Sequence, residues 1–513
     1  MRIRTTLFLV VSALFLYCFL FVPPFTPLEI SNIGDSLLYL APGLRMYHGE
    51  LMYRDFFEFV TPGTGLVHLL LFKLFGVRLW IPNVLALLLG LGLVWTGIGI
   101  ARKVVQRGLA LLPSAAFLVG THDYLTDPVH HWYSMLAGLV AILVLLERRT
   151  LLRIALAGGF CGLSASFTQT RGFAAYVGVA VYLLWEAWAQ RQDWRSALRR
   201  QSVLFAGALG VFLIINGYFI WKAGPARYFW CTVIFVLKYY PKEADWNTFQ
   251  TFYSAIPTPA LTRAFAYNFL EWLFWFVLSP LTYLAFFIAY ARNARRISAH
   301  EWARPMIVAI VGLSMFLCVA PAPNPNRMSV SILPALVLLV FLISRTVRVR
   351  RYIFPAAVVL IVAFGLHDVI RRLPGRDGTI VTPQGRFVTT EQLTYDEYTW
   401  IQQHTRPGDY FYEADFSDIY FYLGLRNPTI LPRAVTNGYT TAPQVSQAIG
   451  ELEQHKPRFI FWGIGDPLVV PPWEDPADEH LQPMLDYIHS HYKRVQVYPN
   501  LGGSDEIWGR TAP

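Results

Sequence analysis

Residues 81–107 read IPNVLALLLGLGLVWTGIGIARKVVQR. The run 81–101 is almost free of charge, and a bilayer core is crossed by about 20 apolar residues in a helix. It closes on Arg102-Lys103 and Arg107. Basic residues concentrate in the loops that stay in the cytoplasm. The stretch therefore reads as a membrane span entering from outside and ending inside.

The same pattern extends in both directions. From Leu7 to about His367 apolar blocks alternate with short polar segments, and the basic clusters recur on alternate sides. They are Arg2/Arg4, Arg148-Arg149/Arg153, Arg191/Arg195/Arg199-Arg200, Arg292/Arg295-Arg296/Arg304 and Arg345/Arg348/Arg350-Arg351. Only 15% of the 513 residues are charged and 55% are hydrophobic, whereas soluble domains carry about 25% charge. The net charge of +10 follows the positive-inside pattern, which argues against a nucleic-acid partner. The four cysteines (Cys18, Cys161, Cys231, Cys318) lie in or beside apolar segments, so they offer no disulfide framework or zinc site. The first block, Leu7 to Val22, lacks a small-x-small cleavage site and reads as a retained helix.

Eleven spans fit between the basic loops, near 7–23, 81–101, 108–121, 131–147, 153–169, 172–189, 202–221, 266–290, 305–320, 328–344 and 352–367. With the N-terminus in the cytoplasm, an odd number places the tail outside. Residues 64–75, TGLVHLLLFKLF, are too short to span and contain His68 and Lys73. They read as a helix lying in the outer interface. The expected fold class is a polytopic α-helical membrane protein with a soluble C-terminal α/β domain. The domains are 1–367, with a first outer loop at 24–80, and 368–513. In the tail, helical stretches alternate with strands near Tyr410–Ala414, Phe459–Trp462, Arg494–Val497 and Glu506–Gly509. Such alternation predicts a small, mostly parallel sheet. The tail has no phosphate-loop glycines, which argues against a nucleotide site.

The candidate chemistry gathers on the outer side. Asp35 follows Gly34 and opens a helix about a dozen residues past the first span. A carboxylate there can take a proton from an acceptor hydroxyl, or simply cap the helix. Asp55 lies among aromatics in Tyr53-Arg54-Asp55-Phe56-Phe57; it suits a sugar, or a surface pair with Arg54. Asp127-Pro128 is a helix start, yet His122, Asp123, His130 and His131 crowd the same loop. These groups match no fixed zinc spacing, and no metal site is assigned. Arg171 and Arg327 lie at the outer ends of spans, against the positive-inside trend. Arginine grips phosphate with a two-pronged fork, and it also snorkels to anionic headgroups.

These segments together resemble the GT-C superfamily of membrane glycosyltransferases, which includes protein O-mannosyltransferases and bacterial aminoarabinose transferases. The resemblance rests on Gly34-Asp35, Tyr47-His48-Gly49, Tyr53-Arg54-Asp55-Phe56-Phe57, Thr61-Pro62-Gly63, Leu74-Phe75-Gly76, Leu125-Thr126-Asp127-Pro128 and Thr168-Gln169-Thr170-Arg171-Gly172. It covers roughly residues 1–345. It implies a polyprenyl-phosphate sugar as donor, an outer-face envelope hydroxyl as acceptor and no separate cofactor. Asp35 would be the base, Asp127 a second acid, and Arg171 and Arg327 the phosphate holders. Arg54, Asp55, His130 and His131 would contact substrate. Superfamily members often have a double proline where this chain has Thr61-Pro62-Gly63. The rival class is a flippase of a lipid-linked sugar. Transporters commonly carry charges near mid-membrane, whereas here the acids gather at one face.

Overall fold

The computed structural model describes residues 2–30, 36–257, 263–293, 299–329, 331–372, 378–414, 418–436, 438–469, 475–500 and 503–511. Asp35 and Gly34 lie outside the described residues.

Two compact units are built from interleaved stretches of chain. One comprises 1–20, 84–217 and 249–374; the other comprises 21–83, 218–248 and 375–513. The tail from residue 375 onward shares its unit with the first outer loop.

The first unit is helical. Among the described residues, seven helices are long and apolar enough to cross a membrane: Ile3–Leu20, Ile81–Val104, Gln169–Ala189, Trp194–Ala223, Asn268–Asn293, His300–Val319 and Arg351–Arg372. Four shorter helices, Leu112–Leu125, His130–Leu145, Leu151–Phe167 and Ile332–Ser344, overlap the other expected stretches but, at 13 to 17 residues, are shorter than a full crossing. The chain is an integral membrane protein. Glycine sets the tightest helix approaches. A Cβ at Gly158 would fall 2.2 Å from Leu204 O, and one at Gly162 would fall 2.1 Å from Ala208 O. Those two glycines, four apart on one helix, bring its backbone against Trp194–Ala223 as small residues do in lipid. The glycines in 90–99 meet side chains instead, Gly90 against Leu16 and Gly97 against Ser114 and Leu333.

The second unit is knit from three separate parts of the sequence. Leu28 bridges Val388, Phe57 N–H donates to Ile430 O at 2.9 Å, and Arg433 pairs with Glu243 at 3.1 Å. One apolar core joins Met46, Tyr53 and Phe56 of the first loop to Tyr228 and Phe235, and to Val435 and Tyr439 of the tail. Gly63–Phe75 is a 13-residue helix with His68 and Phe72 buried and Leu70 and Leu74 exposed. At about 20 Å it is too short to cross a bilayer.

The tail carries a four-stranded sheet whose order, by residue range, is Tyr412–Glu413, Phe459–Trp462, Gly503–Arg510, Tyr492–Asn500. Only the first pair is parallel; the other two are antiparallel. The expectation of a mostly parallel sheet is corrected here. Tyr492–Asn500 and Gly503–Arg510 are consecutive in the chain and pair antiparallel, which needs no crossover helix. A hairpin, Gly378–Thr382 with Gly385–Thr389, precedes them.

Candidate active site

In the first unit, the chain around Asp127 is shaped by its own backbone. The helix Leu112–Leu125 ends with Thr126 N–H donating to His122 O. Val129 N–H then turns back onto Asp127 O at 2.8 Å, and proline at 128 stops the first helix from running on. The indole of Trp132 donates to Tyr124 O at 2.9 Å, which pins the turn. Asp127 is thereby held 4% exposed, with His130 at 3% and His131 at 9%. The two imidazoles lie in contact, tilted by 56° with centroids 3.8 Å apart.

Arg171 arrives from the junction of Leu151–Phe167 and Gln169–Ala189. Gly172 permits that junction: a Cβ there would fall 2.0 Å from Ala165 N. Thr168 Oγ1 donates to His130 O at 3.3 Å, tying the junction to the histidines. Arg171 is 4% exposed. Arg327 lies on the short helix Pro325–Ser329, where Arg327 N–H donates to Asn324 Oδ1 at 2.8 Å and Nη1 donates to Ala322 O at 3.3 Å. Both guanidinium groups lie near enough to His130 and His131 to act on their charge. Four of the expected residues, His130, His131, Arg171 and Arg327, thus converge, with Asp127 three positions before His130.

Beside them, a π-helical turn at Leu273–Val277 interrupts the span Asn268–Asn293. It places Trp275 edge-on to Tyr124 at 5.6 Å, and Trp275 Nε1 donates to Glu271 at 3.3 Å. Such turns are frequent at functional sites. His122 faces Asp123 at 3.1 Å and Asp368 at 3.9 Å. Sequence reading had assigned no role to Glu271 or Asp368. The signal available for Glu271 was an acid inside an otherwise apolar span. Among the described residues, no group of three or more His, Cys, Asp or Glu side chains converges to hold a metal ion.

Arg54 and Asp55 belong to the second unit. Asp55 closes a turn by accepting from Leu51 N–H at 2.7 Å, and Arg54 grips it through two bonds of 2.7 and 2.8 Å. That guanidinium holds the Asp55 carboxyl below its usual range. The segment containing Asp35 is anchored at one flank, where Ile30 N–H donates to Tyr422 Oη at 3.0 Å.

No protein-family model matches the chain, and neither does any curated protein sequence. Solved structures do resemble it. ArnT from Cupriavidus metallidurans, solved bound to undecaprenyl phosphate, superposes with a TM-score of 0.59 over 99% of this chain and 98% of that one, at 13% identity. The chain has the GT-C fold. The oligosaccharyltransferase of Archaeoglobus fulgidus in its apo form matches with a TM-score of 0.50, covering 89% of this chain and 69% of that chain at 13% identity. The GT-C fold spans the tail as well as the helices, a wider reach than the 1–345 over which the sequence resemblance could be read.

Proposed function

We propose that this chain is a membrane glycosyltransferase that moves a sugar from a polyprenyl-phosphate donor to a hydroxyl of an envelope acceptor on the outer face of the membrane. The observation that carries the reading is the group formed by buried His130, His131 and Arg171 with half-buried Arg327. It brings two guanidinium groups to the histidines that follow Asp127. Two guanidinium groups there, in a fold shared with a protein solved bound to undecaprenyl phosphate, suit a lipid's phosphate.

The chemistry follows from charge. The acceptor oxygen attacks the anomeric carbon while the bond to the phosphate breaks. Negative charge grows on the leaving phosphate, and Arg171 and Arg327 stabilise it through charge-assisted hydrogen bonds. Asp35 takes the acceptor proton, and Asp127 orients the acceptor or the histidines beside it. A single displacement inverts the anomeric centre. The acceptor's hydroxyl and Asp35's role come from the superfamily resemblance.

The test is transfer from labelled polyprenyl-phosphate sugars to envelope acceptors by the purified chain, with Asp35→Asn alongside. The variant is expected to bind donor as before and to transfer nothing. Turnover retained by Asp35→Asn would remove Asp35 from the mechanism.

A further inference from the structure

At the opposite end of the first unit, an open cavity of about 520 Å³ is lined by Arg149, Glu186, Gln192, Ser196, Arg199 and Arg200, with Thr150 and Leu151 beside them. Leu151–Phe167 starts at this cavity and ends at the junction that carries Arg171. Its 17 residues separate the two places by about 25 Å, so the cavity is not part of the candidate active site.

Its charges do not balance. Glu186, 3% exposed, faces both Arg149 Nε at 3.2 Å and Arg200 Nη2 at 2.5 Å. Tyr182 Oη accepts from Arg149 Nη2 at 2.8 Å and donates to Glu186 Oε1 at 3.1 Å. Arg200 Nη1 donates to Gln192 Oε1 at 2.9 Å. One carboxylate thus serves two largely buried guanidinium groups, and Arg200 Nε is buried with no acceptor among the described residues. Exposed Arg199 adds a third cation on the open side. A buried, uncompensated cation is costly unless an anion completes it. Thr150 and Leu151, at the N-terminus of Leu151–Phe167, line the same space, so the helix turns its positive dipole end toward it.

The surroundings indicate which kind of anion. Trp188 and Trp194 flank the cavity in sequence and are 75% and 69% exposed; exposed tryptophan marks headgroup depth. Leu152 and Leu184, on the helices that run away from it, are also exposed and offer surface to acyl chains. Basic pockets between helices on the cytoplasmic side hold anionic headgroups. We propose that this cavity binds the headgroup of an anionic phospholipid of the cytoplasmic leaflet through Arg149, Arg199 and Arg200.

The test is native mass spectrometry of the full chain, titrated with phosphatidylglycerol, with phosphatidylcholine and with inorganic phosphate. Phosphatidylglycerol is expected to bind at least about tenfold more tightly than phosphatidylcholine. Arg199→Gln, exposed and remote from the core, should weaken it about tenfold with the unfolding temperature unchanged. Arg149→Gln should do the same if the variant folds. Equal retention of the two lipids, or an unchanged titration in Arg199→Gln, would overturn the proposal. Displacement of phosphatidylglycerol by inorganic phosphate at equal concentration would overturn the lipid assignment and leave a free-phosphate site.

Discussion

Arg171 sits where a cation is expensive to keep. It is 4% exposed at the end of an apolar span, and its forked donors suit a phosphate better than an ammonium does. Arg171→Gln should weaken donor binding by about ten- to a hundredfold while leaving the unfolding temperature near that of the parent; a binding titration with polyprenyl phosphate measures this. Glu397 is a second residue whose surroundings set its chemistry. Burial, reinforced by Asp505, Glu29 and Glu391, pushes its carboxyl up to about 9. The unfolded chain releases this proton near 4.5 and the folded chain near 9, so folding loses stability as pH rises through that interval. Glu397→Gln should flatten that part of the profile and raise stability at pH 7, as read by thermal unfolding across pH. Arg171 stands out in the sequence as a cation at the wrong end of a span, and Asp127 by the acid and histidines that crowd its loop. The pairing of Asp55 with Arg54 was one of two readings open there, because adjacent opposite charges fit both a turn and a sugar site.

Helices are the elements this sequence announces most clearly. Seven of the expected spans fall on helices long and apolar enough to cross a membrane among the described residues, since apolar length is written directly into composition. Trp194–Ala223 begins eight residues before the expected 202, because its first turns are polar and sit beyond the apolar run. The strands were harder to orient. Alternation locates a strand but does not say which neighbour it pairs with, so the pairing that makes the tail's sheet largely antiparallel was hidden. Gly378–Thr389 was missed because its turn, Pro383-Gln384, lacks the glycine or asparagine usual at such turns. Close helix packing yields a prediction at this scale. Gly172→Ala would push a methyl into the backbone of Ala165 at a cost of about 1–3 kcal/mol. It should lower both the unfolding temperature and donor affinity, whereas Gly217→Ala, with open space around its Cβ, should change neither.

At the scale of the molecule, the first outer loop, residues 218–248 and the tail share one core. Linear reading could not show this, because contacts between positions such as 28 and 388 leave no local signature. The tail is therefore part of the fold of the loop that bears Asp35. A chain truncated after residue 374 should lose transfer activity and expose its first loop to protease; a truncated chain that kept both activity and protection would make the tail a separable domain. The central claim is that sugar is transferred and not merely carried across the membrane. The direct measurement uses proteoliposomes containing the purified chain, a labelled polyprenyl-phosphate sugar and an envelope acceptor. The account predicts label on the acceptor, with one polyprenyl phosphate freed for each sugar moved. Label that stays on its lipid but appears in the opposite leaflet would contradict it.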